Sequence, residues 1–229
     1  MGKYEIENFK KIQLFSSLTD EELHQITDRL VVKKFRKNEI ILQVEDTNEY
    51  MYIILNGKTK VIQTTEDGKE ILLALHQSGD FFGEMSLIDG KTSPATVIAT
   101  EDSTAAIISK KDFHALIKTQ KKVLDNLLLI LCSRYRESWE KIQLLNLKNA
   151  LQRIKILFLM LSDKYGEKTD EGIKLNIKLT HQDIADMTGL ARETVTRVID
   201  RWQKDGEINV LKDKFIVLSA NFLQKDLNL

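Results

Sequence analysis

LTHQDIADMTGLARETVTRVIDRWQKDGEI, residues 179–208, reads as two helices joined by a tight turn. Thr180, followed three residues on by Asp183, has the form of a helix N-cap with an acidic partner. Thr188-Gly189 supplies the break, because glycine tolerates the positive φ of a sharp turn. At ~100° per residue the second helix divides into two arcs. Val195, Val198, Ile199 and Trp202 fall on one, which must pack inward, and Arg192, Glu193, Thr196, Arg197 and Asp200 fall on the other. A face that begins Arg-Glu and continues Thr-Arg one turn later suits the major groove of double-stranded DNA. Arginine bonds guanine O6 and N7 together, and glutamate accepts from cytosine N4. The competing account is a solvated face with an intrahelical Glu193–Arg197 pair.

Outward from this stretch, EINVLKDKFIVL (residues 207–218) carries two short apolar runs around a Lys-Asp-Lys turn and predicts a β wing. Upstream, a helix over Leu151–Lys164 leads through Gly166 and Gly172 to a strand over Ile173–Leu179. Residues 150–229 therefore read as a winged helix-turn-helix. Before them, Leu124, Leu128, Leu131, Tyr135, Ser138, Ile142 and Leu145 recur at 4-3 spacing, the seam of a coiled coil. Residues 110–149 are accordingly a dimerisation helix, with a single amphipathic helix lying on its own domain as the alternative. Ser138, small and polar, sets register in that seam or leaves space for a ligand.

From Phe35 to Ser109 the texture is β. EIILQ, YMYIIL, KTKVIQTT, EILLAL, ATVIAT and AAIIS are separated by turn signals at Asn56-Gly57, Asp67-Gly68 and Ser78-Gly79-Asp80. Short strands at such intervals predict a barrel or sandwich. Residues 1–30 look helical, with Thr19 and Glu22 forming a capping box ahead of Leu23, Ile26 and Leu30. The expectation is an α+β chain: a β-barrel sensor of jelly-roll type (1–109), a dimerisation helix (110–149) and a winged helix-turn-helix (150–229).

Composition narrows the function. The chain has 229 residues, 42% hydrophobic and 30% charged, which suits two folded domains. Leu127–Cys132 and Ile156–Leu161 are its longest apolar runs, far short of the ~20 residues a membrane span needs. The start MGKYEIENFK has no apolar core of a secretion signal, and Ile6 stands where a myristoylation motif wants Ser or Thr. A cytoplasmic protein without a membrane partner is expected. The lone Cys132 cannot supply an iron–sulfur cluster and reads as a buried small hydrophobe. His24, His76, His114 and His181 show no metal-ligand spacing, and no GxSxG, P-loop or HExxH is present, so neither a metal nor an enzyme is expected. With 34 basic and 34 acidic residues, net charge is zero, so DNA recognition must rest on a few well-placed groups. Arg134, Arg136, Lys141, Lys148, Arg153 and Lys155 are read as a solvated helix face.

These motifs resemble the cyclic-AMP receptor protein/fumarate–nitrate regulator family over nearly the whole chain. RETVTR (Arg192–Arg197) is similar to the recognition helix of the cyclic-AMP receptor branch. The likeness implies Arg192, Glu193 and Arg197 as base readers of a palindrome with TGTGA-type half-sites. Thr180, His181 and Thr196 complete the candidate DNA contacts, whereas Ala191 replaces a common phosphate-contacting hydroxyl residue. GDFFGEMSLIDGKTSPATVIA (Gly79–Ala99) resembles the family's phosphate-binding cassette, with Gly83, Glu84, Met85 and Ser86 matching. Ser93, Ala95 and Ser138 complete the candidate ligand site. Where nucleotide-binding members carry Arg-Ser or Arg-Ala, this chain has Ser93-Pro94, so the arginine that neutralises the cyclic phosphate is missing and Pro94 has no N–H. That departure argues against a cyclic nucleotide and leaves the effector unknown. The resemblance implies an effector-controlled homodimer that engages DNA and RNA polymerase. The alternative is a ligand-sensing module that regulates a protein partner without DNA.

Overall fold

The computed structural model describes residues 9–66, 68, 70–211 and 214–224. It divides into two compact units, Met1–Tyr135 and Arg136–Leu229. In the first unit a 3-10 turn (Gln13–Phe15) precedes helix α1 (Asp20–Thr27). Strands β1 (Val31–Phe35), β2 (Ile40–Leu42), β3 (Tyr50–Asn56), β4 (Lys58–Thr64), β5 (Glu70–Gln77) and β6 (Phe81–Phe82) follow. Helix α2 (Glu84–Asp89), β7 (Thr96–Ala99), β8 (Ser103–Ser109), α3 (Lys110–Thr119) and α4 (Lys121–Asn146) complete the order; α4 begins in this unit and ends in the next. Two antiparallel four-stranded sheets result, β1-β8-β3-β6 and β2-β7-β4-β5.

Strand β3 shows why YMYIIL is apolar throughout. Successive side chains point to opposite faces. Met51 and Ile53 join a core formed with the helices, through Phe15, Leu23, Phe113, Val123 and Leu127. Tyr52 and Ile54 join the core between the sheets, with Phe35, Leu42, Phe82, Val97 and Ala105. The Asn56-Gly57 turn admits no other residue, because a Cβ on Gly57 (φ +95°) would overlap the Ser103 backbone.

The second unit contains helices α5 (Ala150–Tyr165), α6 (His181–Thr188), α7 (Arg192–Lys204) and α8 (Ala220–Gln224). Its sheet has the order β11-β12-β10-β9, from β9 (Gly166–Thr169), β10 (Gly172–Leu175), β11 (Ile208–Val210) and β12 (Ile216–Leu218). Phe158, Trp202 and Phe222 form its aromatic centre, with ring centroids 5.2 to 6.1 Å apart.

Several expectations need correction. Residues 1–8 lie outside the described residues, and within 9–30 the regular helices are short, the α1 capping box standing as read (Thr19 N–H to Glu22 Oε2, 2.8 Å). The single strand expected over 173–179 is a hairpin, β9–β10, whose first strand EKT is polar and exposed and so lacks an apolar pattern. The Lys212-Asp213 turn and Asp67 fall outside the described residues. Cys132 is exposed rather than buried, because α4 turns Val123, Leu127 and Ile130 toward the core instead. The basic residues on α4 and α5 are not one solvated face: Lys155 is buried and lies over the Phe222 ring, while Arg134 and Arg153 are half-buried and hydrogen-bonded.

Candidate functional sites: nucleic-acid interface and ligand cassette

Helix α6 begins at a complete capping box. Thr180 Oγ1 accepts from the Asp183 N–H at 3.1 Å, and Asp183 Oδ2 accepts from the Thr180 N–H at 2.7 Å. The helix ends at Gly189, in the left-handed region at φ 65°. Arg153, from α5, holds the turn by donating through Nη1 to the Thr188 carbonyl (3.1 Å) and through Nε to that of Leu147 (2.6 Å).

Helix α7 divides as its spacing predicts. Val195, Val198, Ile199 and Trp202 are buried, while Arg192, Glu193, Arg197 and Asp200 are exposed and Thr196 is half-buried. Thr196 makes one hydrogen bond within α7 and one that joins it to α6. Its hydroxyl donates to the Arg192 carbonyl (3.0 Å) and lies 2.8 Å from His181 Nδ1. With its proton on the Arg192 carbonyl, the hydroxyl accepts from the His181 tautomer that carries a proton on Nδ1. No Glu193–Arg197 ion pair forms among the described residues; Arg197 Nη2 donates to Thr194 Oγ1 at 3.3 Å. Ala191 gives the first turn of α7 no side-chain cap, which leaves N–H donors and the positive end of the helix dipole for an anion.

The cassette brings Gly83, Glu84 and Ser86 together at the start of α2. Gly83 adopts φ 86°, and a Cβ there would lie 2.7 Å from the Tyr50 carbonyl. Glu84 is 3% exposed, and Ser86 is also buried, whereas Met85 is exposed. The partner of Glu84 comes from an unexpected element. Arg134, on α4, donates through Nη1 to Glu84 Oε1 (2.8 Å) and through Nη2 to the Phe81 carbonyl (2.7 Å), and lies 4.4 Å from the Phe81 ring centroid. Burial pushes the Glu84 carboxyl above its ordinary range, and Arg134 only partly offsets this. Sequence reading missed the pairing because Arg134 lies fifty positions away.

Ser93 is 2% exposed and already engaged. Its hydroxyl donates to the Ala95 carbonyl (3.0 Å), and its N–H donates to the Asp46 carbonyl (2.9 Å). Ala95 is buried beside it. With Pro94 lacking a donor and the cassette arginine absent, these residues do not fit a cyclic phosphate. Ser138 belongs to the second unit and is exposed on α4.

Of the expected seam residues in the first unit, Leu128 and Tyr135 are exposed, and Leu124 and Leu131 are half-buried, Leu131 packing on the helical core. In the second unit Ile142 and Leu145 are exposed, as is Trp139. No helix among the described residues is long and apolar enough to cross a membrane.

Residues 32–120 match the model of the cyclic nucleotide-binding domain, and residues 152–225 match that of the Crp-like helix-turn-helix domain. The cyclic AMP receptor protein of Thermus thermophilus is 28% identical over 212 residues, covering 93% of this chain and 95% of that protein. The fumarate and nitrate reduction regulatory protein of Vibrio cholerae is 28% identical over 88% of this chain and 80% of its own length. Among solved structures, FixK2 from Bradyrhizobium japonicum shares the fold, with a TM-score of 0.71 at 22% identity over 82% of this chain and 92% of that one. An N-terminal β-sandwich of the cyclic nucleotide-binding type, a long helix and a helix-turn-helix with its small sheet are thus joined in one chain, which belongs to the Crp/Fnr family of DNA-binding transcription regulators.

Proposed function

We propose that the protein is a homodimeric, effector-controlled regulator that reads a palindrome of TGTGA-like half-sites in the cytoplasm and acts on RNA polymerase. Residues 1–109 sense the effector, residues 110–149 dimerise, and residues 150–229 bind DNA. The reading rests chiefly on one observation: Glu193 and Arg197 are exposed on the face of α7 opposite its buried arc and Arg192 is exposed at its first turn, with Thr196 tied to His181. Arg192 and Arg197 offer paired donors to guanine edges, and Glu193 accepts from a cytosine amine and rejects bases lacking that donor. Thr180, His181 and Thr196 anchor the helix against the backbone. The effector is not a tightly held cyclic nucleotide, since Ser93 and Pro94 offer no charge to a phosphate.

Selection from random duplexes at fixed salt, with wild type and Arg197→Ala, tests this. The wild type should enrich a palindrome. Arg197→Ala should lose about 1–3 kcal/mol of discrimination at one position per half-site. An identical motif from both proteins, or none from wild type, would sink the reading; in the latter case regulation of a protein partner becomes the better account.

A further inference from the structure

A second basic feature lies in the same unit as the reading helix. Along residues 174–180 burial alternates: Leu175, Ile177 and Leu179 are buried, while Lys178 and Thr180 are exposed and Lys174 is half-buried. Both lysines converge on Phe215, next to β12, with ammonium nitrogens 4.5 Å (Lys174) and 5.1 Å (Lys178) from the ring centroid. Neither forms an ion pair among the described residues, although Glu167 is opposite Lys174 in the β9–β10 register. Two like charges on one ring repel each other, and the aromatic quadrupole offsets part of that cost. Such a pair is ready for a third, anionic partner. Lys178 lies two residues before Thr180, the cap of α6, and the next residue, His181, bonds Thr196 on α7.

We propose that Lys174 and Lys178, held as a pair by Phe215, grip backbone phosphates of the duplex whose bases α7 reads. The proposal rests on the DNA reading above. A lysine ammonium is a compact point charge without the flat fork that recognises a base edge, so its contact with DNA is sequence-neutral. A chain of zero net charge has no bulk field to draw the duplex in, so this attraction must be local.

The test uses the full chain, with salt titrations of binding to a selected duplex and to an unrelated one. Lys174→Gln/Lys178→Gln should flatten the dependence of log affinity on log salt by about 0.9 for each phosphate that is no longer neutralised. It should weaken both duplexes by the same factor, with the preference between them kept. Phe215→Leu should weaken both duplexes together, and Phe215→Tyr, which keeps the ring, should behave as wild type. An unchanged salt slope in the lysine variant, or a weakening confined to the selected duplex, overturns the proposal while the wild type still selects its palindrome. A wild type that selects no sequence overturns the DNA reading as well.

Discussion

Arg134 ties the cassette to α4 through the buried Glu84 carboxylate and through Phe81. Removing one partner of such a pair leaves a charge without water or counterion, which is costlier than the pair's net worth. Arg134→Met should therefore destabilise the first unit by about 3–5 kcal/mol at neutral pH. Glu84→Gln in that background should recover much of the loss. The pH dependence carries a definite sign. A carboxyl whose folded pKa is raised by burial favours the fold while protonated, and that stability is lost as pH rises through the folded value. Without Arg134 the value rises further, so the deficit should be smallest in acid and should grow as pH climbs through the raised folded value that Glu84 has in the wild type. Urea melts of both variants at several pH values measure this. A deficit that is independent of pH would mean that Arg134 acts through its contacts with Phe81 alone.

Helix α4 is the element where sequence and structure inform each other most. The 4-3 spacing is legible, and Leu128, Tyr135, Ile142 and Leu145 are exposed at their places in it. Spacing alone could not show that Val123, Leu127 and Ile130 form a second apolar row satisfied by the chain's own core, leaving Leu124 and Leu131 half-buried beside it. Elements with an apolar period were readable, as in β3 and α7. Those without one were missed: β1 has its first four residues exposed, β6 is two residues long, and β9 is wholly exposed. The cassette was legible as a motif, but Asp46, which accepts from the Ser93 N–H, and Arg134, which pairs with Glu84, are remote in the chain and meet the cassette only in the fold. Leu128→Glu/Ile142→Glu changes two exposed positions and leaves each unit's core untouched. If the proposed seam makes the dimer, this variant should sediment as a folded monomer and lose most of its affinity for a palindrome, since two recognition helices about 34 Å apart can no longer be presented together. A persistent dimer would place the interface elsewhere.

At the scale of the whole molecule, the chain joins a helix-turn-helix of the Crp-like type to a domain of the cyclic nucleotide-binding type whose proposed phosphate positions hold Ser93 and Pro94. In such an architecture an effector acts only through its differential affinity for the active and inactive states. A ligand that cannot be held tightly cannot shift that balance far. The resemblance to the cassette implies that a cyclic phosphate is met by a positive charge and donors at positions 93–94, where this chain has a buried serine bonded to the Ala95 carbonyl and a proline. Arg134 provides a guanidinium at the cassette, but its bonds to Glu84 and Phe81 would have to be broken or shared to serve a phosphate. Isothermal titration of the full chain with cyclic AMP should therefore give no submicromolar dissociation constant. Ser93→Arg should not create one, for two reasons. The new side chain starts from a position that is 2% exposed and must leave the buried turn, and Pro94 still withholds an N–H. Submicromolar binding by the wild type would show that Arg134 exchanges Glu84 for phosphate. Submicromolar binding by Ser93→Arg alone would show that the missing charge, and not the engaged turn, is what bars the nucleotide.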